Sequence, residues 1–328
     1  MQQHKADYRA LARLAVFIGG VLIAAALLAP PLFFAAQAFI RGNPDSSVTE
    51  LLLKSEFPSY FNRAALLAAF VGLIPLLRSL RLTWGEMTGS LTARRGWPQL
   101  GWGFGVALFW IIGMGFVCFA AEACRLKSSP GWGSIAMPLI SGFTVATLEE
   151  ILFRGAVLGI LCHSLGAWRG LWWTTGFFAI IHFLKPPADG SFPPDQITWT
   201  SGFSVIPQLF RGFGHWNNFI GEFVLLFAVG WVLAKARQNS GGLWLGVGLH
   251  AGWVAGMKYF SQIAIVTPAL SKGEFAPWLV RNTCRAIVSP IVGIVPVIAV
   301  LLTGLVALRI VRRGSGQAAE KGVASQPN

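Results

Sequence analysis

One apolar stretch of the chain, residues 135–161, is long enough to cross a lipid bilayer and still carries charged side chains near its middle. Glu149 and Glu150 are adjacent there, and Arg154 follows four residues after Glu150. A charge at that depth is costly even on the most lenient insertion scales. A membrane helix therefore keeps such a group of residues only if they neutralise one another or take part in chemistry.

The composition of the chain indicates a polytopic membrane protein. Hydrophobic residues make up 54% of the 328 residues and charged residues only 12%, whereas a soluble domain carries about 25% charged residues. The mean hydropathy of +0.60 agrees with this class. The formal net charge of +13 fits basic residues that flank membrane helices and meet anionic lipid headgroups. We therefore predict the lipid bilayer as a partner and no nucleic acid.

The apolar stretches predict an all-α polytopic membrane protein with about eight transmembrane helices. The predicted spans cover residues 14–40, 64–77 (or 64–80), 100–121, 135–161, 170–184, 219–234, 243–263 and 287–308. We expect residues 1–313 to form a single integral-membrane domain and residues 314–328, rich in small and polar residues, to be disordered. The basic connections after spans two, four and six favour an orientation with both termini in the cytoplasm. We expect the membrane to be the bacterial inner membrane.

Helical geometry separates the roles of the two adjacent glutamates. Glu150 and Arg154 share a face because residues four positions apart are neighbours, whereas Glu149 points to a different sector. In the simplest arrangement Arg154 neutralises Glu150 and holds it in place. Glu149 must then be protonated, meet a partner from another helix, or contact water, and such a carboxylate suits general acid–base catalysis. The alternative is a purely structural role, in which a buried charged cluster locks helices together.

Two histidines lie in other apolar stretches and are candidates for the same site. His182 lies near the end of the fifth predicted span, four residues after Phe178 and therefore on the same helical face. His250 lies inside the seventh, near glycines that let another helix or a ligand approach the backbone closely. A Glu with two His on separate spans could activate water or ligate a metal, since zinc sites use these ligands. No H-E-x-x-H or similar local pair supports a metal site.

Three motifs on separate predicted spans follow one another in order. They are Glu-Glu-x-x-x-Arg at residues 149–154, Phe-x-x-x-His at residues 178–182, and a glycine-rich span that contains His250. In this order and spacing the chain resembles the CAAX protease and bacteriocin-processing (CPBP) intramembrane proteases, which include the type II CAAX prenyl endopeptidases. The resemblance covers about residues 99–256, the predicted protease-like core, and the count of eight spans also fits this family.

The resemblance implies a glutamic endopeptidase that cleaves a peptide bond of a membrane-associated substrate, with catalytic residues on spans four, five and seven. By that analogy Glu149 is the base that activates water, His182 helps to position the water, and His250 stabilises the oxyanion. Arg154 would orient Glu150, which supports the site. The implied mechanism needs no cofactor and favours metal independence, although a metalloprotease stays open as an alternative.

The chain departs from the family's pattern at Val254, where the family usually has Asn or Asp four residues after the histidine. An oxyanion donor is then missing, or it is replaced by the indole N–H of Trp253 or by Asn217 or Asn218. The departure supports a second interpretation, a non-catalytic membrane protein that binds a peptide, as in bacteriocin self-immunity. A third interpretation is a proton-coupled transporter that uses the same intramembrane Glu and His.

Overall fold

Helices make up most of the computed structural model, which describes residues 8–89, 93–129, 135–184, 191–214, 216–282 and 290–324. The α-helices are α1 (Tyr8–Gly42), α2 (Ser47–Leu53), α3 (Phe57–Leu80), α4 (Trp84–Thr88), α5 (Ala93–Ala120), α6 (Ala136–Glu150), α7 (Leu158–Leu165), α8 (Ala167–Ile181), α9 (Ser201–Gln208), α10 (Trp216–Ser240), α11 (Trp244–Ile263), α12 (Pro268–Ser271) and α13 (Ile294–Ala324). A π-helical segment, Ile151–Val157, joins α6 to α7, and two 3₁₀ turns cover Pro194–Gln196 and Leu209–Gly214.

The extended structure in the described residues consists of two short antiparallel ribbons and one isolated bridge. β1 (Cys124–Leu126) pairs with β2 (Ala264–Val266), and β3 (Val280–Arg281) pairs with β4 (Ile291–Val292). Because β1 follows α5 and β2 follows α11, the first ribbon ties the ends of these two helices together. Strands this short cannot form a sheet of their own, so the predicted all-α class is confirmed.

Within the described residues, five helical stretches are long and apolar enough to cross a membrane, three fewer than the eight predicted spans. They are Tyr8–Gly42, Phe57–Leu80, Arg94–Ala120, Phe219–Ser240 and Ile294–Val311. These helices confirm an all-α membrane protein. They correspond to the first, second, third, sixth and eighth predicted spans.

The other three predicted spans fall outside these limits for three different reasons. The fourth is helical over residues 136–165, but the π-helical segment divides it. The fifth corresponds to α8, which has only 15 residues. The seventh corresponds to α11, whose mean hydropathy is reduced by four glycines, His250 and Lys258. All three spans carry candidate site residues or adjoin them.

The C-terminal helix α13 continues to Ala324, and thus into the part of the chain, residues 314–328, for which the composition predicts disorder. Its last four residues, 325–328, lie outside the described part, as do residues 287–289 at the start of the eighth predicted span. The predictions of a single domain and of a disordered tail stay predictions.

Contacts between residues divide the chain into two compact units, of which one comprises residues 3–83 and 180–216. Its core joins α1, α3, α9 and the turn after α9 through small and aromatic side chains: Ala25, Ala26, Ala29, Phe33, Phe57, Tyr60, Phe61, Ala64, Val205 and Leu209. Phe33 packs edge-on against Phe57 and Tyr60, with ring centroids 5.6 Å apart in both pairs. Gly202 lies directly against the backbone of Ala26, so a side chain does not fit there.

The second unit comprises residues 84–179 and 217–328, and in it α11 packs against both α5 and α6. Glycines permit the close approach that the sequence predicts for this helix. A Cβ added at Gly252 would lie 2.8 Å from the carbonyl oxygen of Phe104 on α5. A Cβ added at Gly142 of α6 would lie 2.9 Å from the Cβ of Ala255 on α11. Close packing therefore holds the helix with the paired glutamates beside the helix with the candidate histidine.

Candidate active site

The paired glutamates lie in the last turn of α6, and Arg154 lies in the π-helical segment that follows. In this segment hydrogen bonds reach back five residues, as from the Leu158 N–H to the Phe153 carbonyl. Wide turns of this kind are rare and occur frequently at functional sites. The acidic motif therefore lies where the regular α-helix is interrupted.

Glu150 is the buried member of the acidic pair, with 0% of its surface exposed. Its Oε1 accepts a hydrogen bond of 3.0 Å from Arg154 Nη1 and lies 3.0 Å from Nδ1 of His250. A Cβ added at Gly246 of α11 would lie 2.8 Å from Glu150 Oε2, so the helix backbone closes this side of the carboxylate. Glu150 therefore connects an arginine on its own helical segment with a histidine on α11.

Arg154 is enclosed by protein on every side, with 1% of its surface exposed. Its Nη2 donates to the carbonyl oxygen of Gly230 on α10 at 3.4 Å, and its guanidinium carbon lies 4.1 Å from the ring centroid of Phe178 on α8. The face of an aromatic ring attracts a desolvated cation. The ion pair with Glu150, the Gly230 carbonyl and the Phe178 ring together offset the free-energy cost of burying the charged guanidinium.

His250 lies between the two glutamates and is 5% exposed. Its Nδ1 faces Glu150 Oε1, and its Nε2 lies 3.9 Å from Glu149 Oε2. An ionised Glu150 can only accept a hydrogen bond, so in that state Nδ1 carries the proton and directs Nε2 towards Glu149. The Glu149 side chain is 26% exposed, whereas that of Glu150 is 1% exposed. Water can thus reach the Glu149 side chain more readily than that of Glu150, although the Glu149 Oε2 atom that faces the histidine is itself buried.

These four side chains form one connected series, Arg154–Glu150–His250–Glu149. The arginine and Glu150 compensate each other's charge at the buried end, and the imidazole links them to the accessible carboxylate. Such a series can hold a histidine in one orientation with its Nε2 directed at Glu149. At 3.9 Å these two groups are beyond direct hydrogen-bond distance, so a proton would pass between them through a water molecule or after a small shift of either side chain.

A comparison with known proteins found a match over part of the chain. Residues 131–256, a little over a third of the chain, match the model of the family "Type II CAAX prenyl endopeptidase Rce1-like". This segment is similar to the CAAX protease (CPBP) family. The similarity supports a membrane peptidase of the CAAX protease type, which implies a peptide substrate and the lipid bilayer as partners. No curated protein and no solved structure matches the chain.

The CAAX protease segment also contains the other residues that the sequence singles out. Phe178 packs edge-on against Phe153 at 5.2 Å between ring centroids, and its ring centroid lies 6.4 Å from that of His250. Trp253 is 6% exposed and lines a small apolar cavity with residues of α5, α10 and α13. The half-buried Val254 follows His250 by one turn. Phe178 therefore supports the buried arginine and the histidine, while the ring of Trp253 is enclosed by apolar neighbours.

The structure does not place His182 and the two asparagines in the connected series. His182 follows the last residue of α8, is half-buried, and belongs to the compact unit that contains α1 and α3. The side chains of Asn217 and Asn218 lie outside the described part of the structure. The roles of these residues stay predictions.

Sequence reasoning missed three features of this candidate site. It assigned Glu150 to Arg154 alone, whereas the carboxylate also faces His250 Nδ1. It did not identify the carbonyl of Gly230 as an acceptor for the arginine, because backbone partners leave no signal in side-chain patterns. It passed over Glu222, a 1% exposed carboxylate on α10, although an acidic residue within an apolar stretch is such a signal.

Metal ligation depends on a cluster of donor side chains. Among the residues that the structure describes, there is no group of three or more His, Cys, Asp or Glu residues arranged to hold a metal ion. In the connected series each ring nitrogen of His250 faces a different glutamate.

Proposed function

We propose that this CAAX protease hydrolyses a peptide bond of a membrane-associated substrate with a water molecule activated by Glu149. The observation that carries the proposal is the contrast between the adjacent glutamates. Glu150 is held by Arg154 and His250, while Glu149 is accessible and faces His250 Nε2 at 3.9 Å. A general base must reach its water, and a carboxylate enclosed between an arginine and a histidine cannot.

His250 is proposed to serve the reaction in the same place. Its Nε2 faces the catalytic carboxylate, so a protonated imidazole would direct positive charge at an oxyanion that forms beside Glu149. Glu150 would orient the ring through Nδ1, as a carboxylate does for many catalytic histidines. His182 is proposed to help position the water, on the basis of its place in the second family motif.

The proposal also covers metal dependence, the number of membrane spans and the location of the termini. We propose a glutamic mechanism without a metal. The divided helix of residues 136–165, α8 and α11 are proposed to enter the bilayer beside the five longer apolar helices, which gives eight spans with catalytic residues on the fourth, fifth and seventh. The termini are proposed to lie in the cytoplasm of a bacterial cell.

The test compares Glu149→Gln with the wild-type protein on a defined probe. The probe is a fluorescent peptide with a farnesylated cysteine followed by three residues, chosen because the family name specifies prenylated CAAX substrates. We expect Glu149→Gln to insert and elute like the wild type but to lose all measurable cleavage, since an amide cannot accept the proton from water. Full cleavage by Glu149→Gln would refute the mechanism. Mass spectrometry of membrane peptides from cells with either protein extends the test to native substrates.

A non-catalytic peptide-binding protein is the second candidate, and Val254 is the observation that favours it. Valine offers no hydrogen-bond donor one turn after His250, so the site has one fewer group to stabilise an oxyanion. In that case the wild type and Glu149→Gln would bind the probe equally, and neither would cleave it.

A further inference from the structure

A long groove runs between α1 and α3, within the compact unit that these two helices share. Its volume of about 710 Å³ lies in the range of pockets that hold small ligands. Arg13 and Ser79 line one end of the groove, and Leu28 and Leu67 line the other. All the lining residues between these ends are apolar. The groove is therefore apolar along its length and polar at one end.

The polar end of the groove carries positive charge. Arg13 Nη1 donates a hydrogen bond to the carbonyl oxygen of Ser79, which holds the guanidinium at the opening. The exposed Arg78 and Arg81 follow at the end of α3. Neither α1 nor α3 contains an acidic residue, and Arg13 forms no ion pair with any residue that the structure describes. The charge at this opening is therefore not neutralised within the described part of the chain.

The dimensions of the groove suit a lipid chain. From Arg13 to Leu28 the helix α1 rises about 22 Å, whereas the hydrocarbon of one leaflet is about 15 Å deep. Val16 and Val71 line the groove and are 75% and 61% exposed, so it opens sideways to its surroundings. Gly20 keeps its middle open, since a Cβ added there would meet nothing within 4 Å. A chain that starts at Arg13 thus has an apolar path as deep as one leaflet.

We propose that this groove binds one acyl chain of an anionic phospholipid, whose phosphate lies on Arg13. A guanidinium has several donors in a planar fork, and the Ser79 carbonyl takes only one of them, so the others can bind phosphate oxygens. In the orientation proposed above, Arg13 lies on the cytoplasmic side, where the leaflet is rich in anionic lipids. The lipid supplies the negative charge that α1 and α3 lack. The site is separate from the connected series and does not rest on the proposed peptidase function.

The test measures lipid binding by native mass spectrometry of the full chain, purified in dodecyl maltoside and delipidated. The two probes are dioleoyl phosphatidylglycerol and dioleoyl phosphatidylcholine, which have the same chains but differ in net charge. We expect one phosphatidylglycerol to bind the wild type with about fivefold higher affinity than phosphatidylcholine, the contribution of one basic residue near an anionic lipid. Equal affinity for the two lipids would overturn the proposal, because the groove would then be in contact with bulk lipid only.

Substitutions of Arg13 test the phosphate end of the site. Arg13→Gln should lower the affinity for phosphatidylglycerol to that for phosphatidylcholine, and Arg13→Lys should keep part of the preference. Arg41→Gln is the matched control, because Arg41 is also exposed but lies in the last turn of α1. It should bind phosphatidylglycerol like the wild type. If Arg13→Gln keeps the preference, or if Arg41→Gln loses it equally, Arg13 only caps the end of α3 and the phosphate site is overturned.

Two adjacent glycines test the path of the acyl chain. Gly20→Leu fills the groove, whereas Gly19→Leu adds the same side chain beside it, and a Cβ at either position meets nothing within 4 Å. Both variants should elute like the wild type in size-exclusion chromatography. We expect Gly20→Leu to lose the bound phosphatidylglycerol and Gly19→Leu to retain it, and the same result for both would overturn the acyl-chain site.

Competition separates a lipid from the other chain that an apolar groove could accept. The farnesylated peptide and the same peptide without the farnesyl group are added to the wild type with phosphatidylglycerol bound. We expect neither peptide to displace the lipid. Displacement by the farnesylated peptide alone would assign the groove to a chain on the substrate and overturn the phospholipid site.

Discussion

The substitution Glu150→Gln tests whether Glu150 has a structural role while Glu149 has the catalytic one. Glutamine keeps the shape of the side chain but removes its charge, while Arg154 stays 1% exposed with a carbonyl and an aromatic ring as its remaining partners. In the wild type, Arg154 Nη1 and His250 Nδ1 both lie 3.0 Å from Glu150 Oε1. The glutamine amide nitrogen would put a hydrogen-bond donor in place of one of the two carboxylate oxygens. The substitution therefore leaves a buried charge without its counter-ion.

The expected loss follows from the burial of the pair. Removing one partner of a buried ion pair costs about 3–5 kcal/mol in the free energy of unfolding. Glu149→Gln is the same substitution one residue earlier, and it changes a partly exposed side chain that lies 3.9 Å from His250. Loss of such a contact lowers the free energy of unfolding by about 1 kcal/mol or less. For a unit of about 200 residues, 1 kcal/mol shifts Tm by about 2–4 °C. We therefore expect Tm to fall by roughly 10 °C for Glu150→Gln and by about 4 °C at most for Glu149→Gln.

The assay heats each purified variant in detergent and measures the folded fraction by size-exclusion chromatography, with peptide cleavage measured in parallel. Equal shifts for the two variants, or no shift for Glu150→Gln, would refute the division of roles. A double variant, Glu150→Gln with Arg154→Met, removes the uncompensated charge as well. It should be more stable than Glu150→Gln alone, because the single variant carries the larger electrostatic penalty.

Two substitutions on α11 test the geometry around the histidine. Gly246→Ala places a Cβ 2.8 Å from Glu150 Oε2, so the carboxylate must move. We expect this variant to lose about 1–3 kcal/mol in the free energy of unfolding and to have a lower kcat. The control is Gly105→Ala on α5, where a Cβ meets nothing within 4 Å, and it should be neutral or slightly stabilising in the same assays. Val254→Asn adds an amide donor one turn after His250 and should raise kcat by about tenfold to a hundredfold in the peptide assay, whereas an unchanged kcat would mean that another donor already serves the oxyanion.

Local spacing predicted the parts of the site that one helix can specify. The interval of four residues between Glu150 and Arg154 predicted their ion pair, and it is present at 3.0 Å even though the helix changes from α to π between them. The glycines around His250 predicted close packing of α11, and they meet the backbones of neighbouring helices. Apolar composition predicted the membrane class, because burial in lipid constrains every residue of a span.

The parts that depend on register between helices could not be predicted in the same way. Nothing in the spacing of the motifs shows that His250 Nδ1 faces Glu150 while Nε2 faces Glu149, since a rotation of α11 by one residue would exchange its partners. The π-helical segment has no sequence signal, and it divides a span that looked continuous. Hydropathy also predicted spans at α8 and α11, which are shorter or more polar than the five helices that meet the length and hydropathy limits, so the count of eight stays a prediction.

Glu149 and Glu150 differ in burial and in their partners because neighbouring residues of a helix point about 100° apart. One carboxylate faces into the protein, where Arg154 compensates its charge before it meets His250. A carboxylate compensated in this way can orient the imidazole without adding a net negative charge beside it. An unpaired Glu150 would instead place an uncompensated negative charge next to Glu149. In the proposed mechanism Arg154 therefore acts on catalysis through two intervening side chains, although Phe178 and the backbone of α10 separate it from solvent.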